Sequence, residues 1–531
     1  MPALIITGDV VTLDPARPRV EAVAIQDGRV AATGTRGDAS AAVPAGTPVR
    51  PLPGTVVPGL IDSHVHMLWW GRERDRVSLA GAGSVAEVLE RVAAFAAADP
   101  QRAWLEGSAD IDERDLAEGR FPTHAELDGA AGGRPLLLDR RSHDGLVSSS
   151  ALRAAGIDAT TPDPPGGVIQ RDAGGQPTGF LVERPAVELV ERAMPPVAQA
   201  DRLRWLRDVQ PVFHAAGITS VVDPALSPGE LDAYLELHER GGLSMRTTVM
   251  PLGDGERAPD AVMDGFDGLA GLRGGDVLRL GPVKLFLDGG GSLGTALLDE
   301  DWPGTDGYRG NQTTSTDGLR TWAAWTARAG IGLGVHCVGT AAIELALEAF
   351  AAADAVSPIR GLPFTLIHAY LWPTPEQMRR TRELGVLVAT QPPLQWAFGP
   401  GLVERFGARR IGDAHPIASW LRAGVTVGAG SDGPGVPLSP LFGLWQLRRR
   451  TVAGGDEPVG AHEAVDAQTA LELYTRGAAA VACAPERGRL APGAPADLVA
   501  LGVDPLRATP EECRDGEVLM TMVGGDVVFQ A

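Results

Sequence analysis

Six residues of this chain, His64, His66, Lys284, His336, His368 and Asp432, have the chemistry to hold a metal ion if the fold brings them together. Lys284 is the single lysine among 47 basic residues; all the others are arginine. Arginine keeps its charge, whereas lysine can lose its proton in a suitable site and act as a nucleophile. One such reaction, with CO2, gives a carbamate whose two anionic oxygens can bridge metal ions. Chance survival of a surface or ion-paired lysine is the competing reading. Against it, Gly281-Pro-Val-Lys-Leu-Phe-Leu-Asp288-Gly is an apolar run interrupted by Lys284 and closed by glycines, the pattern of a buried strand. His64-Val-His66 adds a second signal. Alternate residues of a strand share a face, so both imidazoles can meet one ion. That spacing alone is often coincidence. Its weight comes from Lys284, His336, His368 and Asp432, which stand in or at the ends of other apolar runs.

Those runs specify the scaffold. Eight strands are predicted, at Leu60–His66, Ile218–Pro224, Arg246–Leu252, Val283–Asp288, Gly332–Val338, Phe364–Ala369, Val386–Gln391 and Val425–Ser431, with helical stretches between them. This alternation is that of a parallel α/β fold, and eight units suggest a (β/α)8, TIM-like barrel with its reactive residues at the C-terminal strand ends. The gap between the first two strands far exceeds the roughly 30 residues of one βα unit. Residues 72–200 are therefore expected to be an insertion, with helix-like Ser84–Ala98 and Ala198–Ala216 and a Pro/Gly-rich stretch, Thr161–Gly179. Residues 1–57 read as short strands (Ala3–Thr7, Val10–Leu13, Ala22–Gln26, Arg29–Thr33, Val49–Pro51, Thr55–Val57), with Asp27-Gly28 as a hairpin turn. Residues 486–531 resume that style. Neither end can close a core alone, so the two are expected to pair into one small β-sandwich on a barrel domain of residues 58–485.

Composition narrows the class. With 531 residues, 44% hydrophobic and 21% charged, the chain is an ordinary globular protein with a large core. A net charge of −20 argues against nucleic acid and against an anionic membrane surface as partners. Cys337, Cys483 and Cys513 are widely spaced, which excludes a cysteine metal site and suits a reducing, cytoplasmic setting. The start has no signal-peptide pattern, and no apolar stretch approaches the roughly 20 residues needed to span a bilayer.

Taken with its flanks, the chain resembles the amidohydrolase superfamily, in particular its amidohydrolase-3 or YtcJ-like branch, over nearly its full length. The resemblance rests on Val57-Pro-Gly-Leu-Ile-Asp-Ser-His-Val-His66, Lys284-Leu-Phe-Leu-Asp-Gly289 and Gly430-Ser-Asp-Gly-Pro434. Leu146-Val-Ser-Ser-Ser-Ala-Leu-Arg-Ala-Ala-Gly-Ile157, Pro164-Pro-Gly-Gly167 and Gly175-Gln-Pro-Thr-Gly-Phe-Leu-Val-Glu183 are branch-like text within the insertion. The tail Gly488-Arg-Leu-Ala-Pro-Gly-Ala-Pro-Ala-Asp-Leu-Val499 looks like the family's return to its sandwich. The resemblance implies a hydrolase dependent on a divalent metal, Zn2+ first among the choices, with one or two ions per chain. His64 and His66 would bind the more buried ion, a carbamylated Lys284 would bridge two, and His336 and His368 would hold the second. Asp432 would bind the first ion and act as the catalytic proton shuttle. The chain departs from the branch at His336-Cys-Val-Gly-Thr340-Ala-Ala, where an acid and an arginine are missing, and at Ile367-His368, where a glutamate often precedes the histidine.

Aromatic placement bears on the substrate. Trp69, Trp70, Trp302, Tyr370, Trp372, Trp396 and Phe398 follow predicted strands, where barrel loops surround the active-site mouth. Buried packing is the alternative for each; together they favour an apolar or aromatic pocket. His143 lies where the branch often has a histidine that contacts substrate. His124, His214, His238 and His462 are read as surface or capping residues, and His415 as a loop residue whose lesser alternative is a pocket role. The reading is an enzyme that hydrolyses an amide C–N bond of a small apolar or aryl molecule, with a homodimer as the oligomer left open. Deamination, ester or lactone hydrolysis and decarboxylation could use the same metal site. A metal-free barrel serving as a binding scaffold is the rival from another class, disfavoured because a scaffold has no need for all six residues.

Overall fold

Eight parallel strands carry the candidate residues or lead directly into them: β1 (Leu60–Asp62), β2 (Ile218–Leu226), β3 (Arg246–Pro251), β4 (Val283–Phe286), β5 (Leu333–Cys337), β6 (Thr365–His368), β7 (Leu387–Thr390) and β8 (Val427–Ala429). They come from a computed structural model that describes residues 3–109, 111, 113–140, 144–164 and 167–531. Every residue of β2, β3 and β6 is buried, as parallel strands covered on both faces require. β1, β2 and β3 form one parallel array, with a short fourth strand, Leu278–Leu280, beyond β3. β4 to β8 form a second parallel array in sequence order. The arrays touch at both edges. Leu252 of the segment after β3 makes a parallel bridge to Lys284, and the Ser63 amide after β1 donates to the Ala429 carbonyl of β8 (3.0 Å).

All eight predicted strands exist, mostly shorter than their apolar runs. The first was expected to reach His66 but ends at Asp62. Beyond it the amides turn to different neighbours: Ser63 to Ala429, Val65 to Val222 and His66 to Gly433. No single strand pairs with this segment, so apolar alternation continues where the ladder has stopped. Helices follow most of the strands. Pro375–Leu384, after β6, shows why they form where they do. Thr374 and Gln377 make a capping box, Pro375 occupies the first turn, and Gly385 takes the left-handed closing position (φ 73°).

Both chain ends enter one seven-stranded sheet, in the order Asp526–Gln530, Val518–Val523, Leu498–Leu501, Val49–Pro58, Leu4–Val11, Arg19–Gln26, Arg29–Gly34. The predicted pairs Ala3–Thr7/Val10–Leu13 and Val49–Pro51/Thr55–Val57 are each one strand. The register shifts between Thr7 and Asp9, a bulge rather than a break. Gly54 lies at the matching irregularity; a Cβ there would sit 1.9 Å from the Leu501 carbonyl oxygen. Val23, Ile25, Val56, Leu498, Met520 and Met522 form the core of this sheet.

The chain up to Leu68 and Leu206–Ala531 make one compact unit, and Trp69–Trp205 a second. The expected helices are present, at Val85–Ala98 and Gln199–Ala215. The second unit corrects the sequence reading in holding a sheet, two of whose strands overlap the stretch read as a Pro/Gly-rich loop. It contains a six-stranded sheet, ordered Val168–Arg171, Pro177–Val182, Asp144–Val147, Leu136–Arg140, Leu105–Ser108, Val77–Ser78. These strands are only two to six residues long, and alternation over so few positions is hard to separate from loop. Among the described residues, no helix is long and apolar enough to cross a membrane.

Candidate functional site

His64 and His66 follow β1, and Asp432 follows β8. The Nε2 atoms of the two histidines lie 3.3 and 3.6 Å from Asp432 Oδ1. Potential ligand atoms of the three residues all fall within 4.8 Å of one another. Two ligands on a tetrahedral zinc ion, each about 2.1 Å from it, stand about 3.4 Å apart, so this spacing suits one ion. Buried hydrogen bonds fix the arrangement. Asp62 accepts from the amides of His64 (3.1 Å) and Ser431 (3.0 Å) and from the Ser431 hydroxyl (2.6 Å). The Asp432 amide donates to the His64 carbonyl (2.8 Å). Gly430 permits this approach, since a Cβ there would lie 2.4 Å from Asp62 Oδ1.

His368 and His336 extend the cluster. The His368 ring centroid is 5.2 Å from that of His64 and 4.5 Å from that of His336. Each ring has one nitrogen engaged, which identifies the nitrogen left for a metal. Gln391 uses its amide NH2 to donate to the Ala389 carbonyl (3.1 Å), so its oxygen faces His368 Nδ1 at 2.7 Å. Nδ1 therefore carries the proton and Nε2 keeps its lone pair. His336 Nε2 is 3.3 Å from the Gly289 carbonyl, which can only accept, so Nδ1 is the free atom there. His368 and Asp432 both have left-handed backbones (φ 74° and 65°), a conformation that is costly without glycine and that clusters at functional sites.

Electrostatics favour ligating forms. Burial holds His66 and His336 down at about 3, and the neighbouring Lys284 charge acts in the same direction on both. Burial also holds His64 and His368 well below the ordinary histidine range. All four imidazoles are thus neutral at pH 7, as ligation requires. Lys284 is fully buried, and burial lowers it to about 8, with the Asp432 carboxylate opposing. Asp288 closes the far side of the cluster. Its carboxylate accepts from the amides of Val338, Gly339 and Leu297, each at 2.9 Å, and burial raises it to about 7.

The aromatic residues are less uniform than the sequence suggested. Trp302 is only 3% exposed. Its ring packs against Phe406 and its indole N–H donates to the Ala296 carbonyl (2.9 Å). That is a packing position, against the expectation of a pocket wall. Trp372 joins the same cluster, with Arg410 over its ring at 4.2 Å. Trp396 packs on Phe442. Trp69 and Trp70 belong to the helix Met67–Glu73, at the start of the second unit. His143 lies outside the described residues. Ile367 is part of a buried apolar cluster with Ile61, Val222 and Met250. The Thr340 hydroxyl donates to the Leu371 carbonyl (3.0 Å). These two departures from the branch pattern therefore serve packing.

One histidine differs from its sequence reading, and a second, His415, lies in a loop as expected but is buried there. His214 is buried between the Ile218 carbonyl (3.1 Å) and the Ser244 hydroxyl (2.9 Å), a satisfied core residue rather than a surface one. His415 is buried with its ring stacked 4.1 Å from that of Tyr370. Gln391, Asp62 and Asp288, which position the cluster, were not singled out in sequence. A polar residue ending an apolar run was the only signal, and it does not distinguish a hydrogen-bonding role from a turn.

A sequence profile of the Amidohydrolase family matches residues 54–529. The chain is 31% identical to an N-substituted formamide deformylase of Arthrobacter pascens, covering 99% of this chain and 98% of that one. It is 27% identical to YtcJ of Bacillus subtilis (strain 168), covering 98% of both. The crystal structure of an uncharacterized metal-dependent hydrolase from Pyrococcus furiosus superposes with a TM-score of 0.77 at 26% identity, over 95% of this chain and all of that one. The chain belongs to the amidohydrolase family and is a hydrolase.

Proposed function

We propose that the protein is a metal-dependent amidohydrolase that cleaves the C–N bond of a small N-substituted amide with an apolar or aryl group, N-substituted formamides being the first class to test. The observation that carries this reading is the convergence of His64, His66 and Asp432 within 4.8 Å, adjoining His368 and His336, beside the one lysine of the chain. The resemblance to the Arthrobacter deformylase supports the choice of amide. We also read the two parallel arrays as one (β/α)8 barrel, supported by the Leu252–Lys284 bridge and the Ser63–Ala429 hydrogen bond. The terminal sheet, folded over its own core, is read as the small β-sandwich.

The donor set fits a divalent ion, with zinc preferred because neutral imidazoles dominate it. His64, His66 and Asp432 would hold one ion, and His336 through Nδ1 and His368 through Nε2 a second. Lys284, as its carbamate, would lie between them. A bound ion lowers the pKa of water to about 7 and polarises a carbonyl. Asp432 takes the proton of the attacking water and passes it to the departing nitrogen, so the amine leaves neutral. Asp62 and Ser431 hold the turn that aims Asp432. Gln391 holds the His368 ring.

The test is metal analysis and turnover on the same preparation. Zinc-loaded enzyme is expected to bind one to two ions per chain and to release formate and amine from N-substituted formamides. Turnover of lactones or esters but of no amide would assign a different reaction to the site. Fewer than about 0.2 ions per chain after supplementation would remove the metal chemistry altogether and favour the scaffold.

A further inference from the structure

Phe286 ends β4, two residues after Lys284, so alternation places both on one face of the strand. The Lys284 Nζ is 4.8 Å from the centre of the Phe286 ring. The His336 ring is 5.4 Å away, tilted by 42°. Val283, Leu285 and Leu287 are buried, yet Phe286 remains 38% exposed. Its backbone is held firmly, because the Phe286 carbonyl accepts from the hydroxyls of both Thr313 (2.9 Å) and Thr314 (2.6 Å). After the buried Leu287 and Asp288 the loop runs Gly289-Gly290-Gly291, three residues with no side chain to cover the ring. An anchored aromatic, closed on one side by the histidine cluster and open on the other, is a preformed apolar surface beside the reacting centre.

We infer that Phe286 is a specificity-determining residue, the wall against which a flat apolar group of the substrate, an aryl ring or a hydrocarbon of similar size, lies during reaction. Aromatic pairs favour offset or edge-to-face packing at centroid separations of about 4.5–7 Å, and the open side of Phe286 can accept either. The inference rests on the metal-site reading above. It moves the source of apolar selectivity from the tryptophans, of which Trp302 is a packing residue, to the strand that carries Lys284.

The test uses hydroxamates, which bind a metal centre whether or not the enzyme hydrolyses amides. Calorimetry on full-length zinc-loaded protein compares benzohydroxamate with acetohydroxamate for wild type, Phe286→Ala and Phe286→Leu. The aryl probe is expected to bind wild type more tightly than the methyl probe. Phe286→Ala is expected to weaken the aryl probe roughly ten-fold or more and to leave the methyl probe unchanged. Phe286→Leu, which keeps bulk and guards against misfolding in the alanine variant, is expected to fall between. Equal weakening of both probes would overturn the role of Phe286 and leave the metal reading standing. Failure of wild type to bind either probe would overturn both.

Discussion

Reconstitution of metal-free protein should be limited by how much of Lys284 is neutral. CO2 reacts with the free amine, and burial lowers Lys284 from 10.5 to about 8. At pH 7 about one amine in ten is then neutral, against about one in 3,000 for an unperturbed lysine, a gain of roughly 300-fold. The assay strips the metal, adds zinc at fixed dissolved CO2, and follows recovery of activity and bound zinc between pH 6 and 9. Recovery should quicken about nine-fold from pH 6 to 7 and about five-fold from 7 to 8, then level off, following the neutral fraction. Lys284→Arg keeps a cation but cannot form the carbamate, so it should recover neither zinc nor activity. Lys284→Ala should respond partly to added acetate, which can supply carboxylate oxygens in the space vacated. Recovery that ignores pH at constant CO2, or normal zinc content in Lys284→Arg, would refute the carbamate reasoning and leave a site that works without the lysine.

Other substitutions separate the roles around the cluster. Asp432→Asn should stay folded by circular dichroism and lose about 10²-fold or more in kcat; an unchanged kcat takes Asp432 out of proton transfer. Gln391→Leu removes the acceptor that fixes the His368 tautomer and should weaken zinc about 10- to 100-fold in chelator competition. Gln391→Glu keeps an acceptor and should spare most of that affinity, so equal losses in both variants would count against the tautomer argument. His214 is held at about 4 by burial, below its unfolded value of 6.5. Its stabilisation is complete above pH 6.5 and is lost as pH falls toward 4, because the unfolded chain takes up the proton first. Between pH 7.5 and 4.5 wild type should lose about 2–3 kcal/mol more than His214→Gln in urea unfolding, and equal losses would show that His214 does not carry this linkage.

The clustering of the candidate residues could be read in large part from residue type and spacing, because apolar runs that end in polar residues mark the ends of strands. His64 and His66 meet Asp432 although the strand ends at Asp62, so the two-residue spacing pointed to the right pair for a different local geometry. The strands carrying Lys284, His336 and His368 are strongly apolar. What remained hidden depends on contacts distant in sequence. Gln391 matters only because β7 lies beside β6, and Phe286 only because it stays partly exposed among the described residues. Trp302 was misread for the same reason: a large aromatic after a strand can line a mouth or fill a core, and only the position of Phe406 and the Ala296 carbonyl decides. The sheet of the second unit was missed because its strands are too short to show a period.

Three buried aspartates explain how parallel strands can end in a functional cluster. Where the chain leaves a ladder, its amides lose their strand partners, and buried amides without acceptors are costly. Asp62 takes the amides of His64 and Ser431, Asp223 that of Leu68, and Asp288 those of Val338, Gly339 and Leu297. Burial raises each carboxylate to about 7, against the lowering effect of the donors. A carboxylate suits this task because its two oxygens can receive several donors from segments far apart in sequence. Asp62 joins the ends of β1 and β8, and Asp288 joins β4 to the turn after β5. His64, Asp432 and His336 stand beside these junctions, so the same bonds that terminate the ladders fix the side chains that meet over them. Asp62, at the end of an apolar run and two residues before His64, is therefore a brace for that histidine, from whose amide it accepts a hydrogen bond.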